Sequence, residues 1–134
     1  MGFSDLPLLD QIKGRMSWLD ERQRVIAQNV ANSDTPGYVG RDLKAPTDFA
    51  AALRQGGTLQ MTRTSANHIA PAAPQNRFQT SAAPDSETTL DGNTVVVEEQ
   101  MLKMAESRMA YDAAISFYQK SMNMLRTAAR GPGR

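Results

Sequence analysis

The side chains able to do chemistry are few and poorly placed for it. His68 is the single histidine and there is no cysteine. No carboxylate stands near His68 in sequence, so neither a metal site of known type nor thiol catalysis can be assembled. No nucleophile lies beside a base, no glycine-rich loop is built to cradle phosphate, and no carboxylate pair has a pocket to act in. No catalytic, cofactor-binding or metal-ligating residues are expected, and His68 reads as a hydrogen-bonding surface or turn residue.

The densest polar chemistry serves the main chain instead. Residues 29–38 read Asn-Val-Ala-Asn-Ser-Asp-Thr-Pro-Gly-Tyr. Asn29, Asn32, Ser33, Asp34 and Thr35 carry short side chains that bond nearby backbone groups. Asn32 can close a helix in the left-handed conformation, and Pro36 prevents the helix from continuing. Pro36-Gly37 suits the central positions of a type II turn, where glycine supplies a positive φ without steric cost. Tyr38 is then delivered back toward the helix, ring packed and hydroxyl hydrogen-bonded. Each residue alone would serve an ordinary helix-ending loop; the ordered combination is far more specific.

Two helical patterns flank this turn. Leu9, Ile12, Met16, Leu19, Gln23, Ile26 and Val30 are spaced 3, 4, 3, 4, 3, 4. Val97, Met101, Met104, Arg108, Tyr111, Ile115, Tyr118, Met122, Leu125 and Ala129 alternate 4 and 3. Such a repeat draws one narrow apolar seam along a helix, suited to another helix and little else. The fold is expected to be mainly α: an N-terminal helix over 8–32, the turn over 33–40 and a C-terminal helix over 94–130, the two long helices packed as a coiled-coil-like α-domain. Pro7 suits the first turn of the first helix, and Glu99 is oriented for an i, i+4 pair with Lys103. Gln23 on the first seam either fixes register or marks a solvent gap. The methionines of the last helix are adaptable enough to meet several non-identical neighbours, and equally serve as core filler.

Composition agrees with a single domain over residues 1–134. Hydrophobic residues make up 40% but aromatics only 6%, so an isolated domain buries a thin core and its helices depend on packing partners. With a net charge of +1, no strong field favours nucleic acid or an anionic membrane. Lys120, Arg126, Arg130 and Arg134 complement the C-terminal end of a helix dipole, as Glu98, Glu99 and Glu106 do near its start. No run approaches the roughly 18 apolar residues that cross a bilayer, so direct lipid insertion is not expected. Residues 1–7 carry neither a basic stretch nor an apolar core of about 7–15 residues, so no cleavable signal peptide is expected; composition alone then suggests a cytoplasmic protein.

The middle differs. Pro46-Thr47-Asp48 opens a short amphipathic helix over 46–55, with Phe49, Ala52 and Leu53 on one face before Gly56-Gly57. Residues 56–93, rich in Pro, Ala and Thr, show no sustained period and read as an extended or flexible connector. Thr58–Thr64 alternates weakly enough for a short strand or docking segment.

The decapeptide at 29–38, the string Asp91-Gly92-Asn93-Thr94-Val95 before the last helix, and Tyr38–Asp42 leading into a short middle segment together resemble the bacterial flagellar basal-body rod proteins. The resemblance covers roughly residues 8–55 and 88–129, and the near absence of a middle domain resembles the proximal-rod members. It implies a structural subunit of the proximal rod that polymerises through its terminal helices into a tubular drive shaft, transmitting torque and conducting exported subunits. Its location would be the periplasm-spanning rod, reached by type III export without a cleaved signal, which conflicts with the compositional reading. Implied partners are other rod subunits and copies of itself, the adaptor joining rod to membrane ring, and the export gate. On this reading Asn29, Asn32, Thr35, Pro36, Gly37 and Tyr38 form the signature turn. Leu9, Ile12, Met16, Leu19, Ile26, Val30, Met101, Met104, Tyr111, Ile115, Tyr118, Met122 and Leu125 form the assembly seam. Phe49 and Leu53 match a short motif that export substrates present to the gate, although helical core spacing explains the same pattern. One departure stands out: relatives carry an acidic residue where Val96 stands, so Asn93 or Thr94 must cap the helix. The competing reading is a soluble cytoplasmic coiled-coil adaptor or secretion chaperone.

Overall fold

A computed structural model describes residues 7–45 and 78–130. The short helix expected over 46–55, with Phe49 and Leu53, lies outside them, as do Thr58–Thr64 and His68. Helix α1 spans Pro7–Ala31, strand β1 Arg41–Leu43, strand β2 Thr80–Ala82 and helix α2 Val97–Arg130. At about 1.5 Å per residue α2 is about 50 Å long, and it packs along α1. Asn29, near the end of α1, bonds Gln100, near the start of α2. Buried residues continue from there to Leu9 on one helix and Ser121 on the other, so the pair is an antiparallel hairpin. Opposite Leu9 the partner is roughly Ser121, and the last turns of α2 extend past the start of α1.

The seam of α1 follows its expected line: Leu9, Ile12, Leu19 and Ile26 are buried, and Met16, Gln23 and Val30 are half-buried. Val25 and Asn29 join them near the turn. On α2 half of the expected line faces inward, since Met104, Tyr111, Tyr118 and Leu125 are half-buried. The alternate positions are shifted by one residue. Gln100, Ser107, Ala114 and Ser121 are the buried ones, while Met101 is 64% exposed. Ile115 and Met122 are half-buried and Arg108 is exposed. The inward line 100, 104, 107, 111, 114, 118, 121, 125 keeps the 4–3 alternation, and after Gln100 its fully buried positions are the small residues Ser107, Ala114 and Ser121. Small side chains let two helix backbones approach closely, and the fixed position of Gln100 sets the rotation of everything seven residues apart.

β1 and β2 form a two-stranded antiparallel ribbon, pairing Arg41 with Ala82, Asp42 with Ser81 and Leu43 with Thr80. It is extended by the Ala83 amide donating to Gly40 O at 2.8 Å and the Lys44 amide to Gln79 O at 3.0 Å. A Cβ on Gly40 would meet Ala83 O at 3.1 Å, a close approach that glycine relieves. The ribbon is fastened to α1. Arg22 holds the Asp42 carboxylate through two bonds of 3.0 Å and lies 5.5 Å from the Trp18 ring centre, and the Trp18 indole donates to Lys44 O. Residues 78–93, expected to be part of a connector, are thus tied to the hairpin by strand and turn bonds. α2 begins at Val97 rather than at 94.

Candidate functional site

The turn after α1 is built without a left-handed asparagine. Among the described residues only Gly37 and Gly92 have positive φ, at 68° and 82°, so the expected αL closure at Asn32 does not occur. The helix tightens instead: the Asn32 amide donates to both Gln28 O and Asn29 O, the Ser33 amide to Val30 O and the Thr35 amide to Asn32 O. Shortened bonds of this kind satisfy the last carbonyls of a helix without a positive φ. Pro36 and Gly37 then occupy a reverse turn in which the Tyr38 amide donates to Thr35 O at 3.2 Å, with Gly37 supplying the conformation a type II turn requires.

Asn29 is the centre of this end of the molecule. Its side chain is 1% exposed and its amide makes four hydrogen bonds. Nδ2 donates to Arg41 O at 2.7 Å and to Gln100 Oε1 at 2.9 Å. Oδ1 accepts from the Tyr38 hydroxyl at 3.2 Å and from the Arg41 amide at 3.0 Å. Every donor and lone pair of the amide is used, so one side chain joins α1, the turn, β1 and α2. Asn93 does the same on the other strand of the junction. Its Nδ2 donates to Asn32 O and Thr35 O, both at 2.8 Å, and its Oδ1 accepts the Val95 amide at 2.8 Å. Around these two asparagines the Gly37 amide donates to Asp91 O and the Thr94 amide to Tyr38 O, and Thr94 Oγ1 accepts the Gly40 amide.

Neither Asn93 nor Thr94 caps α2. Asp85 supplies that carboxylate from eleven residues away: its Oδ2 accepts the Val96 amide at 2.9 Å and Gln100 Nε2 at 2.8 Å. Its Oδ1 accepts Lys103 Nζ at 2.7 Å, and the Asp85 side chain is fully covered. Burial pushes the Asp85 carboxyl up, but the bonds from Lys103, Gln100 and Val96, with the lysine charge, outweigh it and hold the group below the usual carboxylate range. An anion at the first turn of α2 also opposes the positive end of the helix dipole. Lys103 is therefore paired with Asp85 and not with Glu99, which bonds the Ser86 hydroxyl.

Of the six residues of the expected signature turn, the structure brings Asn29, Asn32, Thr35 and Tyr38 into one hydrogen-bonded junction, with Pro36 and Gly37 shaping the turn. Sequence reasoning missed Gln100, Asn93 as a bridging residue, Asp85, and the Trp18–Arg22–Asp42 fastening. A polar residue one place before an apolar heptad position, as Gln100 is before Met101, was the available signal. Nothing local marks Asp85, whose partners lie 11 to 18 residues downstream. Among the described residues no group of His, Asp and Glu is gathered to hold a metal ion, and no helix is long and apolar enough to cross a membrane.

Comparison with known proteins bears on this junction directly. Residues 13–38 match the model of the flagella basal body rod protein family, a stretch that runs from the first half of α1 to Tyr38. The chain is 30% identical over 116 residues to the flagellar basal body rod protein FlgB of Proteus mirabilis, covering 82% of this chain and 84% of that one. It is 30% identical over 113 residues to FlgB of Cereibacter sphaeroides, covering 84% and 85%. To FlgB of Escherichia coli it is 32% identical over 102 residues, covering 72% and 73%. With similarity running through both helices and the junction between them, the chain belongs to the FlgB family of flagellar basal body rod proteins.

Proposed function

We propose that this chain, a structural subunit of the flagellar basal body rod, polymerises through the faces of its terminal helices that the hairpin itself leaves uncovered. Its family makes it a component of the basal body that associates with other rod components, and disfavours a cytoplasmic adaptor or chaperone. The observation that carries the proposal is the division of labour on α2. The line Gln100, Ser107, Ala114 and Ser121 is buried, with Gln100 bonded to Asn29 of α1. That leaves Met101, Leu102, Met109, Phe117 and Met124 between 50% and 66% exposed, with Ile115 and Met122 at the edge of the contact. A long helix with an apolar stripe that its own domain does not cover is suited to packing against neighbours. The unbranched methionines adapt to partners that are not identical. Repeated contacts of this kind build a tube that transmits torque through many interlocked helices and leaves a lumen for exported subunits.

The finer partners belong to the same proposal: the adaptor that joins rod to membrane ring at one end, and an export gate that reads Phe49 and Leu53. The test separates export from assembly. Ile115→Asp places a charge at a helix–helix contact, where an unpaired buried charge costs several kcal/mol; it should be exported and yet build no rod in cells lacking the wild-type protein. Phe49→Ala should reduce export itself. Normal rods built from Ile115→Asp would overturn the assembly reading, and unaltered export of Phe49→Ala would overturn the gate reading.

A further inference from the structure

Two demands of the junction meet in one dipeptide. Gly92 has a φ of 82°, a conformation that glycine adopts without strain and other residues do not. A Cβ there would also meet Gly37 Cα at 3.5 Å. Asp91 supplies a carboxylate to the same turn: its Oδ1 accepts from the Thr89 hydroxyl, and from the Asn93 amide at 3.3 Å. An aspartate followed by glycine is among the most labile pairs in a peptide chain, because a residue without a side chain leaves its amide nitrogen unhindered beside the preceding carboxyl. The sequence holds one Asp-Gly pair, Asp91-Gly92, and no Asn-Gly pair.

The reaction open to this pair needs no co-reactant but water. The Gly92 nitrogen bonds Asp91 Cγ, and the Cγ hydroxyl leaves with the amide proton as water, giving a cyclic imide. Water then opens the imide at the Asp91 main-chain carbonyl carbon. The chain now runs on through Cβ and Cγ, and the former main-chain carbonyl has become a free carboxylate.

In the folded chain every group in that reaction is engaged. The Gly92 amide donates to Thr89 O at 2.9 Å, and Asp91 O accepts the Gly37 amide at 2.8 Å. Thr89, which clamps the carboxylate, is itself held by its amide donating to Asn93 O at 2.8 Å. Bringing Cγ onto the Gly92 nitrogen requires rotation about the backbone and side-chain bonds of Asp91, which breaks these bonds together. Those from Thr89 and Asn93 also hold the carboxyl below its ordinary range, and an ionised carboxylate resists attack.

We propose that Asp91-Gly92 is a site of spontaneous isomerisation held in check by the closed junction, and that chains whose junction is open convert Asp91 to isoaspartate. The product cannot regain the same turn. Its main chain is longer by a methylene, and the oxygen that accepts the Gly37 amide is displaced. So is Asn93, whose side chain bonds Asn32 O and Thr35 O. Time spent with the junction open is thereby written into the chain as a weakened junction.

The full-length protein is incubated at neutral pH, folded in buffer and unfolded in guanidinium chloride. Isoaspartate is measured by enzymatic methyl transfer to its free carboxylate and located by peptide mapping. At Asp91 it should accumulate at least about tenfold faster in the unfolded chain, the protection given by a turn that opens rarely. Equal rates in the two states, or no isoaspartate at Asp91 in the unfolded one, overturn the proposal, and this comparison needs no variant. Thr89→Val removes the hydroxyl that clamps the carboxylate. It should raise the rate several-fold in a chain whose circular dichroism and Trp18 emission match the wild type, and an unchanged rate there overturns the clamp. Isomerised chain separated by reversed-phase chromatography and refolded should show a lower denaturation midpoint than the unmodified chain. Equal midpoints overturn the claim that the product cannot reclose the junction.

Discussion

Asn29→Ala tests whether the junction is built as described. The substitution removes all four hydrogen bonds of the buried amide. Gln100 Oε1 is left without a donor in a site where Gln100 is 1% exposed. Stranding one buried polar atom costs about 1–3 kcal/mol, and the lost bonds to the Arg41 peptide add about 1 kcal/mol, for a total of about 2–4 kcal/mol. The whole domain is worth only about 5–15 kcal/mol, and few large apolar side chains support this one. With a urea m-value of about 1.5 kcal/mol/M, the unfolding midpoint should fall by about 2 M. Asn32→Ala is the internal control. That side chain donates to Gln28 O and accepts from Thr35 at the exposed surface, so its loss should cost about 0.5 kcal/mol. Far-UV circular dichroism and the emission of the single tryptophan, Trp18, follow helix and ribbon in the same titration. Equal midpoints for the two variants would refute the assignment of Asn29 as the residue that joins the helices.

Other substitutions probe the remaining parts. Gly37→Val should destabilise by about 1–2 kcal/mol, because a Cβ there has open space but a φ of 68° is costly for a branched residue, while Ser33→Ala should be neutral in the same melt. Acidification should weaken the wild type: the Asp85 carboxyl is depressed in the fold from its ordinary 3.8, so its contribution is present above that value and is lost as the pH falls through the lower folded one. Asp85→Asn should flatten that limb of a stability-against-pH profile, although exposed Asp91, also depressed by its bonds from Thr89 and the Asn93 amide, retains a weaker dependence. Ser107→Ala and Ser121→Ala should each raise the melting temperature slightly, since both hydroxyls are buried without a partner among the described residues and alanine removes the unmet polar group.

The two helices were legible because a 3–4 repeat over many turns is a strong local signal, and α1 keeps nearly every position of it. On α2 the repeat was legible but its rotation was not. Counting apolar residues favours Met101, Ile115 and Met122. The actual rotation is set by Gln100, whose two partners Asn29 and Asp85 are remote in sequence, and by the tolerance of close packing for Ser107, Ala114 and Ser121. The turn was legible in outline, including the return of the Tyr38 hydroxyl to α1, because proline and glycine have narrow conformational meaning. Its left-handed asparagine was not realised, since tightened bonds ended α1 first. β1 and β2 were missed because three-residue strands have no period to detect, and their stability comes from the Arg22–Asp42 pair and the indole of Trp18. Asp85 could not be identified as a cap from a string in which the acidic residue expected at position 96 is simply a valine.

The most direct test of the central claim is a density map of the rod in basal bodies purified from cells that depend on this chain, resolved to side chains. The account predicts an antiparallel hairpin with Gln100, Ser107, Ala114 and Ser121 against α1, and Met101, Met109, Phe117 and Met124 buried against helices of neighbouring subunits. A rod in which those four large side chains still face solvent, or in which α2 has turned to bury Met101 against α1, would contradict it.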